Sequence, residues 1–301
     1  MKVLVAGGAG FIGSFTTEAL VHAGHEVIVL DNLLSGSREN LRSVWDRIDF
    51  IEADICRADD YFDKLGDLDA VIHLAFPTPL CNRNPENQFY EVASLGTANL
   101  LELALSNDAY VIYGSSISVY GVQQYVPIDE AHPVRPILIY GANKLHGEHL
   151  CHAFGETRGL DYVVLRYSDI YGPRDRRKNA INKFLTAALD KAPVTIHGDG
   201  RQKRSYTYVR DAVRATLMSL RKRAMRQTLI VSTDSALSII ELAETIKTTF
   251  CPDLQVVLSQ GLADPRCYVF DNSKFGQAVG RLRWTPLETG LAETLKYLKT
   301  I

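Results

Sequence analysis

The chain lacks any apolar run approaching the ~20 residues that a membrane-spanning helix needs. It also lacks a charged leader ahead of a cleavable apolar segment, since Lys2 opens the first strand pattern directly. A protein neither exported nor anchored is expected. Cysteine is scarce: five residues, at 56, 81, 151, 251 and 267, odd in number and without a C-x-x-C pair. This supports neither a disulfide framework nor a zinc site and fits reduced cytoplasm. Nor is there an excess of charge. A formal net charge of −2 gives no general attraction to nucleic acid or acidic membranes, and the basic cluster Arg174, Arg176, Arg177 and Lys178 is local. Any anionic partner should be small. Internal repeats and low-complexity tracts are missing as well.

What is present is enough for a large core, with 46% hydrophobic residues in 301. The most informative stretch comes first. Lys2–Ala6 reads as a short apolar strand, Gly7-Gly8-Ala9-Gly10-Phe11-Ile12-Gly13 follows at once, and a helical run leads away. Glycines at 7, 10 and 13 allow a tight strand-to-helix turn, close approach to a pyrophosphate and close packing of helix on sheet. The helix amino-terminus adds free N–H groups and the positive end of its dipole. Asp31, closing the strand His25–Leu30, is placed to accept hydrogen bonds from an adenosine ribose and to repel a 2′-phosphate. NAD is therefore expected in preference to NADP.

Strand patterns at Glu26–Leu30, Asp49–Glu52, Ala70–Leu74, Ala109–Tyr113 and Tyr162–Arg166 alternate with helical ones. That alternation specifies a doubly wound parallel α/β sheet, with ligands at the carboxyl ends of its strands. Beyond Arg166 the pattern becomes irregular: a Gly-Pro-basic loop, a helix near Ala180–Lys191, a strand Val194–His197, a Gly-Asp-Gly turn and Ser205–Val209. A helix through Asp211–Lys222 and a strand Thr228–Val231 follow. The expected division is a cofactor domain of residues 1–166 plus about 205–231, with a smaller, interleaved carboxyl-terminal lobe of 167–204 plus 232–301.

Two segments carry chemistry. Tyr140-Gly141-Ala142-Asn143-Lys144 opens a probable helix and sets a phenol and an ammonium four residues apart on one face. Tyrosine ionises near pH 10, so a general base at neutral pH needs a cation beside it, which Lys144 would supply. The strand before runs into Gly114-Ser115-Ser116-Ile117-Ser118, where Ser116 could hydrogen-bond a reacting oxygen. Ser115 and Ser118 are read instead as turn residues satisfying their own backbone. The helix histidines His146, His149 and His152 lack accompanying acidic ligands, and no metal is expected.

At this point the chain resembles the extended short-chain dehydrogenase/reductase family, specifically its NAD-dependent nucleotide-sugar epimerase/dehydratase group of Rossmann fold. The matching residues run nearly end to end: the Gly7 to Gly13 loop, Asp31-Asn32 with a Ser35-Gly36 turn, Asp54-Ile55, His73-Leu74-Ala75, Gly96–Leu101, Ser115-Ser116 with Val119-Tyr120-Gly121, Tyr140 to Lys144, Arg166-Tyr167, Tyr171–Arg174, Gly198-Asp199-Gly200, and Arg204 with Tyr208-Val209 and Asp211.

The resemblance implies that Gly7, Gly10, Phe11, Ile12, Gly13, Asp31, Asn32, Ser35 and Gly36 bind the cofactor. Asp54 and Ile55 would flank its adenine, and Leu74 and Ala75 would line it. Ser116, Tyr140 and Lys144 would form the catalytic set. Tyr140 would remove a proton from a sugar hydroxyl while hydride passes from the same carbon to NAD, Lys144 would hold the nicotinamide ribose, and Ser116 would steady the oxygen. Arg204 and Arg266 match positions that grip a diphosphate, and His197 stands where related enzymes place an aromatic beside the base. Homodimers pairing through helices equivalent to Asn87–Leu105 and Tyr140–Phe154 are common in such enzymes.

Departures from the group narrow the reaction and question the substrate. Dehydratases of this type carry an Asp-Glu pair after the serine, and decarboxylases a glutamate at the second place; here they are Ile117 and Ser118. Epimerisation at C4 of a nucleotide-sugar, a UDP-hexose first, is what remains. A reductase or dehydrogenase on a modified sugar shares every motif, and a non-catalytic NAD sensor is a third reading. Asp169 replaces the usual asparagine that meets substrate phosphate, where unit charges at 4 Å would repel by ~4 kcal/mol in a surface-like dielectric unless a proton or a neighbouring arginine intervenes. Ala93 and Asn143 also replace a frequent asparagine and serine.

Overall fold

The structure, a computed structural model, describes residues 1–77, 86–261, 264 and 266–300. Cys81 lies outside the described residues. β1 (Lys2–Ala6), α1 (Phe11–His22), β2 (Glu26–Asp31), β3 (Asp49–Glu52) and β4 (Ala70–His73) open the chain. α2 (Glu86–Glu91) and α3 (Thr97–Ser106), joined by a π-helical turn at Val92–Gly96, lead to β5 (Tyr110–Ser116), α4 (Ile139–Arg158) and β6 (Tyr162–Tyr167). β7 (Asp169–Tyr171), α5 (Ala180–Asp190), β8 (Val194–His197), β9 (Lys203–Arg204), β10 (Tyr206–Tyr208), α6 (Val209–Lys222) and β11 (Gln227–Val231) follow. The chain then adds β12 (Leu237–Ser238), α7 (Ile239–Phe250), β13 (Val256–Ser259), α8 (Ser273–Ala278) and α9 (Leu287–Leu298).

Seven strands form one parallel sheet in the order β11-β6-β5-β4-β1-β2-β3. Because side chains alternate across a strand, each apolar run feeds two cores. Val3, Val5, Val27, Val29 and Ile112 join Phe15 and Leu20 of α1 and Val213 of α6. Leu4, Ala6, Ile28, Leu30 and Val111 join Leu100, Leu101 and Ala104 of α3 on the other face. The order reverses between β1 and β4, which opens a crevice at their carboxyl ends.

Three small pairings lie outside this sheet: β7 with β10, β9 with β12, and β8 with β13. β7 starts two residues after β6 ends, so the second region is fed straight from the sheet. The strand expected to stop at Tyr113 continues through Ser116. Gly114, Ser115 and Ser116 keep a ladder with Leu165, Arg166 and Tyr167, because β6 runs on beside them and pairs their backbone. Among the described residues no helix is long and apolar enough to cross a membrane, and no group of three His, Cys, Asp or Glu could hold a metal ion.

Candidate active site

The crevice between β1 and β4 is built by backbone approaching backbone. Gly7 has φ +81°, and a Cβ there would lie 2.5 Å from the Ala75 nitrogen and 2.7 Å from the Leu74 carbonyl carbon; one at Gly13 would lie 2.0 Å from the Gly7 oxygen. Those two glycines let β1, β4 and α1 close up. Gly10 differs, since a Cβ there would meet only the Gly7 oxygen, at 3.1 Å. Gly10 also precedes α1 without a side-chain cap, and the first turn has no acidic residue. The free N–H groups therefore face open space, the setting a pyrophosphate needs.

Around this turn the other expected cofactor residues gather. The buried Asp31 carboxylate accepts from the Ala9 N–H at 2.9 Å and the Leu33 N–H at 2.8 Å, and each oxygen retains a lone pair. Burial pushes its pKa up, and the two N–H donors pull it back. Gly36 packs on Ala9, where a Cβ would come within 2.9 Å, and the neighbouring Ser37 N–H donates to the Ala9 carbonyl at 3.0 Å. That contact sets the Ser35-Gly36 turn beside the glycine loop. Asn32 donates to Asp54 at 3.1 Å. Ile55 is core, 4% exposed, with its side chain pressed under Gly96. Arg38 is held by Glu52 at 2.5 Å, with Trp45 and Phe50 beneath it. The residues present fit a dinucleotide with an unphosphorylated ribose.

Ser116 ends β5, accepts from the Ser118 N–H at 3.2 Å and donates to the Ser118 hydroxyl at 3.2 Å. Burial pushes the Tyr140 pKa up; the charge of Arg177 and the Ser116 hydroxyl pull it down. Arg177 is thus a cation acting on Tyr140 that the sequence reading had not placed there. Lys144 turns its ammonium to the Gly114 carbonyl at 2.7 Å and to the Phe76 ring at 4.2 Å. Phe76 in turn meets Tyr140 edge-on at 5.5 Å, so one ring touches both side chains. Burial pushes Lys144 down to about 7, and the Glu148 carboxylate raises it.

Arg177 belongs to the basic run Arg174, Arg176, Arg177 and Lys178. Folding disperses that cluster: Arg174 pairs with Glu18 of α1 at 2.7 Å over the Phe15 ring, whereas Arg177 grips buried Asp175 with two nitrogens, at 2.7 and 2.9 Å, and lies over Phe11. The only sequence signal was Asp175 two residues away. Ser115 also departs from expectation, because its hydroxyl donates to Glu148 in place of its own backbone. The ladder places Ser115 opposite Arg166, and α4 lays Glu148 across both.

A cavity of about 590 Å³ is lined by Ser118, Asp169, Arg177, Arg204 and Arg266 among others. Asp264 clamps both arginines, at 2.5 Å to Arg204 and 2.6 Å to Arg266, and the pair holds its carboxyl below the usual range against burial. The Asp169 charge acts on Arg177, which lines the same cavity. His197 is not brought here; it is exposed on β8 and bonded to Ser259 at 2.7 Å.

A phenol and a serine hydroxyl at the end of a dinucleotide crevice, with a cavity holding two arginines that Arg177 and Ser118 also line, can move a proton at an anionic ligand bound beside the cofactor. Residues 3–231 match the NAD dependent epimerase/dehydratase family. The chain is 36% identical over 254 residues to a candidate UDP-glucose 4-epimerase of Methanocaldococcus jannaschii, covering 81% of each. It is 33% identical over 257 residues to a dTDP-glucose 4,6-dehydratase of Streptomyces niveus, covering 82% of this chain and 76% of that one. Among solved structures it is similar to the UDP-glucose 4-epimerase of Thermotoga maritima with UDP-glucose, with TM-score 0.91 and 31% identity over 100% of this chain and 99% of that one.

Proposed function

Because this chain belongs to the NAD dependent epimerase/dehydratase family, we propose that it is an NAD-dependent epimerase acting at C4 of a nucleotide-linked hexose, with a UDP-hexose as substrate. Bound NAD supplies the hydride acceptor and donor. In this reading the Gly7–Gly13 turn and α1 hold the pyrophosphate, Asp31 holds the adenosine ribose, and Lys144 holds the nicotinamide ribose. Tyr140 takes the proton of the C4 hydroxyl, Ser116 steadies that oxygen, and Arg204 and Arg266 hold the diphosphate. Residues 1–166 with about 205–231 are read as the cofactor domain, and 167–204 with 232–301 as the substrate lobe.

The observation that carries the choice of reaction is Ser116, whose hydroxyl helps lower the Tyr140 pKa, followed by Ile117 and Ser118. Elimination of water needs a second acid near the sugar, and neither residue after the serine can give up a proton as a carboxylic acid does. We also propose that two copies pair through Asn87–Leu105 and Tyr140–Phe154. The exposure of Leu95 and, at the start of α4, of Ile139 supports this, and light scattering tests it.

The deciding experiment is turnover of 4-²H UDP-hexose without added NADH. Deuterium retained in the inverted product is expected. Stoichiometric NADH release, or an absolute need for external reductant, transfers the assignment to a dehydrogenase or reductase.

A further inference from the structure

One stripe of α1 is held by a segment far along the chain. Phe11, Ser14, Phe15 and Glu18 stand three and four residues apart and share a helix face. Arg174 lies across them. Its guanidinium donates to the Ser14 hydroxyl at 3.2 Å and to the Glu18 carboxylate at 2.7 Å, and it stacks over the buried Phe15 ring at 4.4 Å. Arg177 extends the contact, lying over the Phe11 ring at 5.3 Å while donating to the Ile170 carbonyl. Arg174 also holds φ +68°, a left-handed angle that costs a residue with a side chain. Such strain persists where the surroundings over-determine it, and here the side chain is fixed at three points.

The same segment walls the cavity, which Arg177, Lys178 and Asn179 line together with Arg204 and Arg266. Its middle is rigid. Asp175 is buried and accepts from the side chains of both Arg177 and Asn179, so residues 174–179 move as one piece. One side of that piece rests on the helix whose amino-terminus is read as the pyrophosphate site, and the other faces the cavity read as the nucleotide site. Glu18 has a further partner in the Ser43 hydroxyl at 2.5 Å and is 15% exposed, so it is not stranded when Arg174 is removed.

We propose that Arg174 and Glu18 are positioning residues that couple the two ligand sites, so that a nucleotide diphosphate in the cavity helps to retain NAD. The inference rests on the nucleotide-sugar reading and adds a mutual dependence of cofactor and substrate. Two arrangements of the segment differ in energy. Against α1 it has the Arg174 contacts and bears the strained backbone angle; released, it loses both. A diphosphate fixes the cationic wall of Arg177 and Lys178, and the rigid piece carries that order to Arg174 and α1. Linkage makes the effect reciprocal, since NAD on α1 favours the same arrangement and so favours the nucleotide.

The test is the rate of NAD release from the loaded protein, followed by exchange against excess isotopically labelled NAD, with and without saturating UDP. In the wild type UDP is expected to slow release at least about 10-fold. Arg174→Met keeps an apolar contact with Phe15 and loses both donors; it is expected to bring the two rates within about 2-fold while UDP, followed by calorimetry, still binds. Glu18→Gln keeps an acceptor for Ser43, should shift the ratio the same way, and serves where Arg174→Met does not fold. A purely structural role would speed release equally with and without UDP and leave the ratio in place. A wild-type ratio near one, or variants that keep the wild-type ratio, overturns the coupling. Failure of UDP to bind the wild type overturns the nucleotide-sugar reading and the coupling with it, and calorimetry tells that outcome from the others.

Discussion

Glu148 stands one helical turn beyond Lys144 on the buried face of α4, and its carboxylate is held at once by Arg166, at 2.7 and 3.0 Å, and by Ser115. Ser115 and Arg166 are cross-strand partners, so this single carboxylate pins the helix carrying Tyr140 and Lys144 to the ends of β5 and β6. Arg166 also donates to the Tyr120 hydroxyl at 2.9 Å, which leaves the guanidinium well satisfied.

Replacing Glu148 by glutamine is therefore expected to be costly. The ion pair is 7% exposed on both sides, and breaking it strands the charge of Arg166 in the interior. Loss of one partner of a buried pair costs about 3–5 kcal/mol. Urea unfolding measures it, and a loss below about 1 kcal/mol would show that Arg166 finds another partner.

The pH dependence of stability should carry the signature of Lys144. Folding lowers its pKa to about 7 from 10.5, so above pH 7 the unfolded chain binds a proton that the folded protein has released. Unfolding thus takes up a proton, and stability contributed by this group rises with pH from about 7 upward. Buried tyrosines and Cys151, whose pKa values are raised, act in the opposite sense above pH 9. The window is pH 7 to 9. The wild type should gain stability relative to Lys144→Met across it, and parallel curves would contradict the buried ammonium.

Tyr140→Phe should leave folding and NAD affinity nearly intact while slowing turnover by at least about 10²-fold, as loss of acid/base catalysis does. Wild-type turnover by this variant on the true substrate would remove Tyr140 from the chemistry. Arg177→Gln offers a complementary reading. The charge that lowers the Tyr140 pKa is gone, so the rising, acid-side limb that reports the basic phenolate should move to higher pH.

Cofactor titration should show NAD bound in preference to NADP. Asp31 is buried at the ribose end of the crevice, and Arg38, the nearby cation able to meet a 2′-phosphate, is already paired with Glu52 and lies over Trp45 and Phe50. Equal or tighter NADP binding would require Arg38 to leave that pair.

The sequence by itself determined the parts whose physics is local. The glycine turn, Asp31 at the end of β2 and the run of β-branched strands each depend on neighbours within a few positions or on a two-residue period. They were legible because a left-handed Gly7 or an alternating strand has few other solutions. The Tyr140 and Lys144 pair was legible for the same reason, as two turns of one helix. Tertiary structure decided what stands next to them. Phe76 touching both Tyr140 and Lys144, Asp264 joining Arg204 to Arg266, and Asp169 set against Tyr206 all require segments far apart in the chain to meet in one register. That register is fixed by how β5, β6, β7 and β10 pair and by how α4 is anchored. A side chain's partner, and with it the charge it feels, is a property of that packing and not of the residues beside it in sequence.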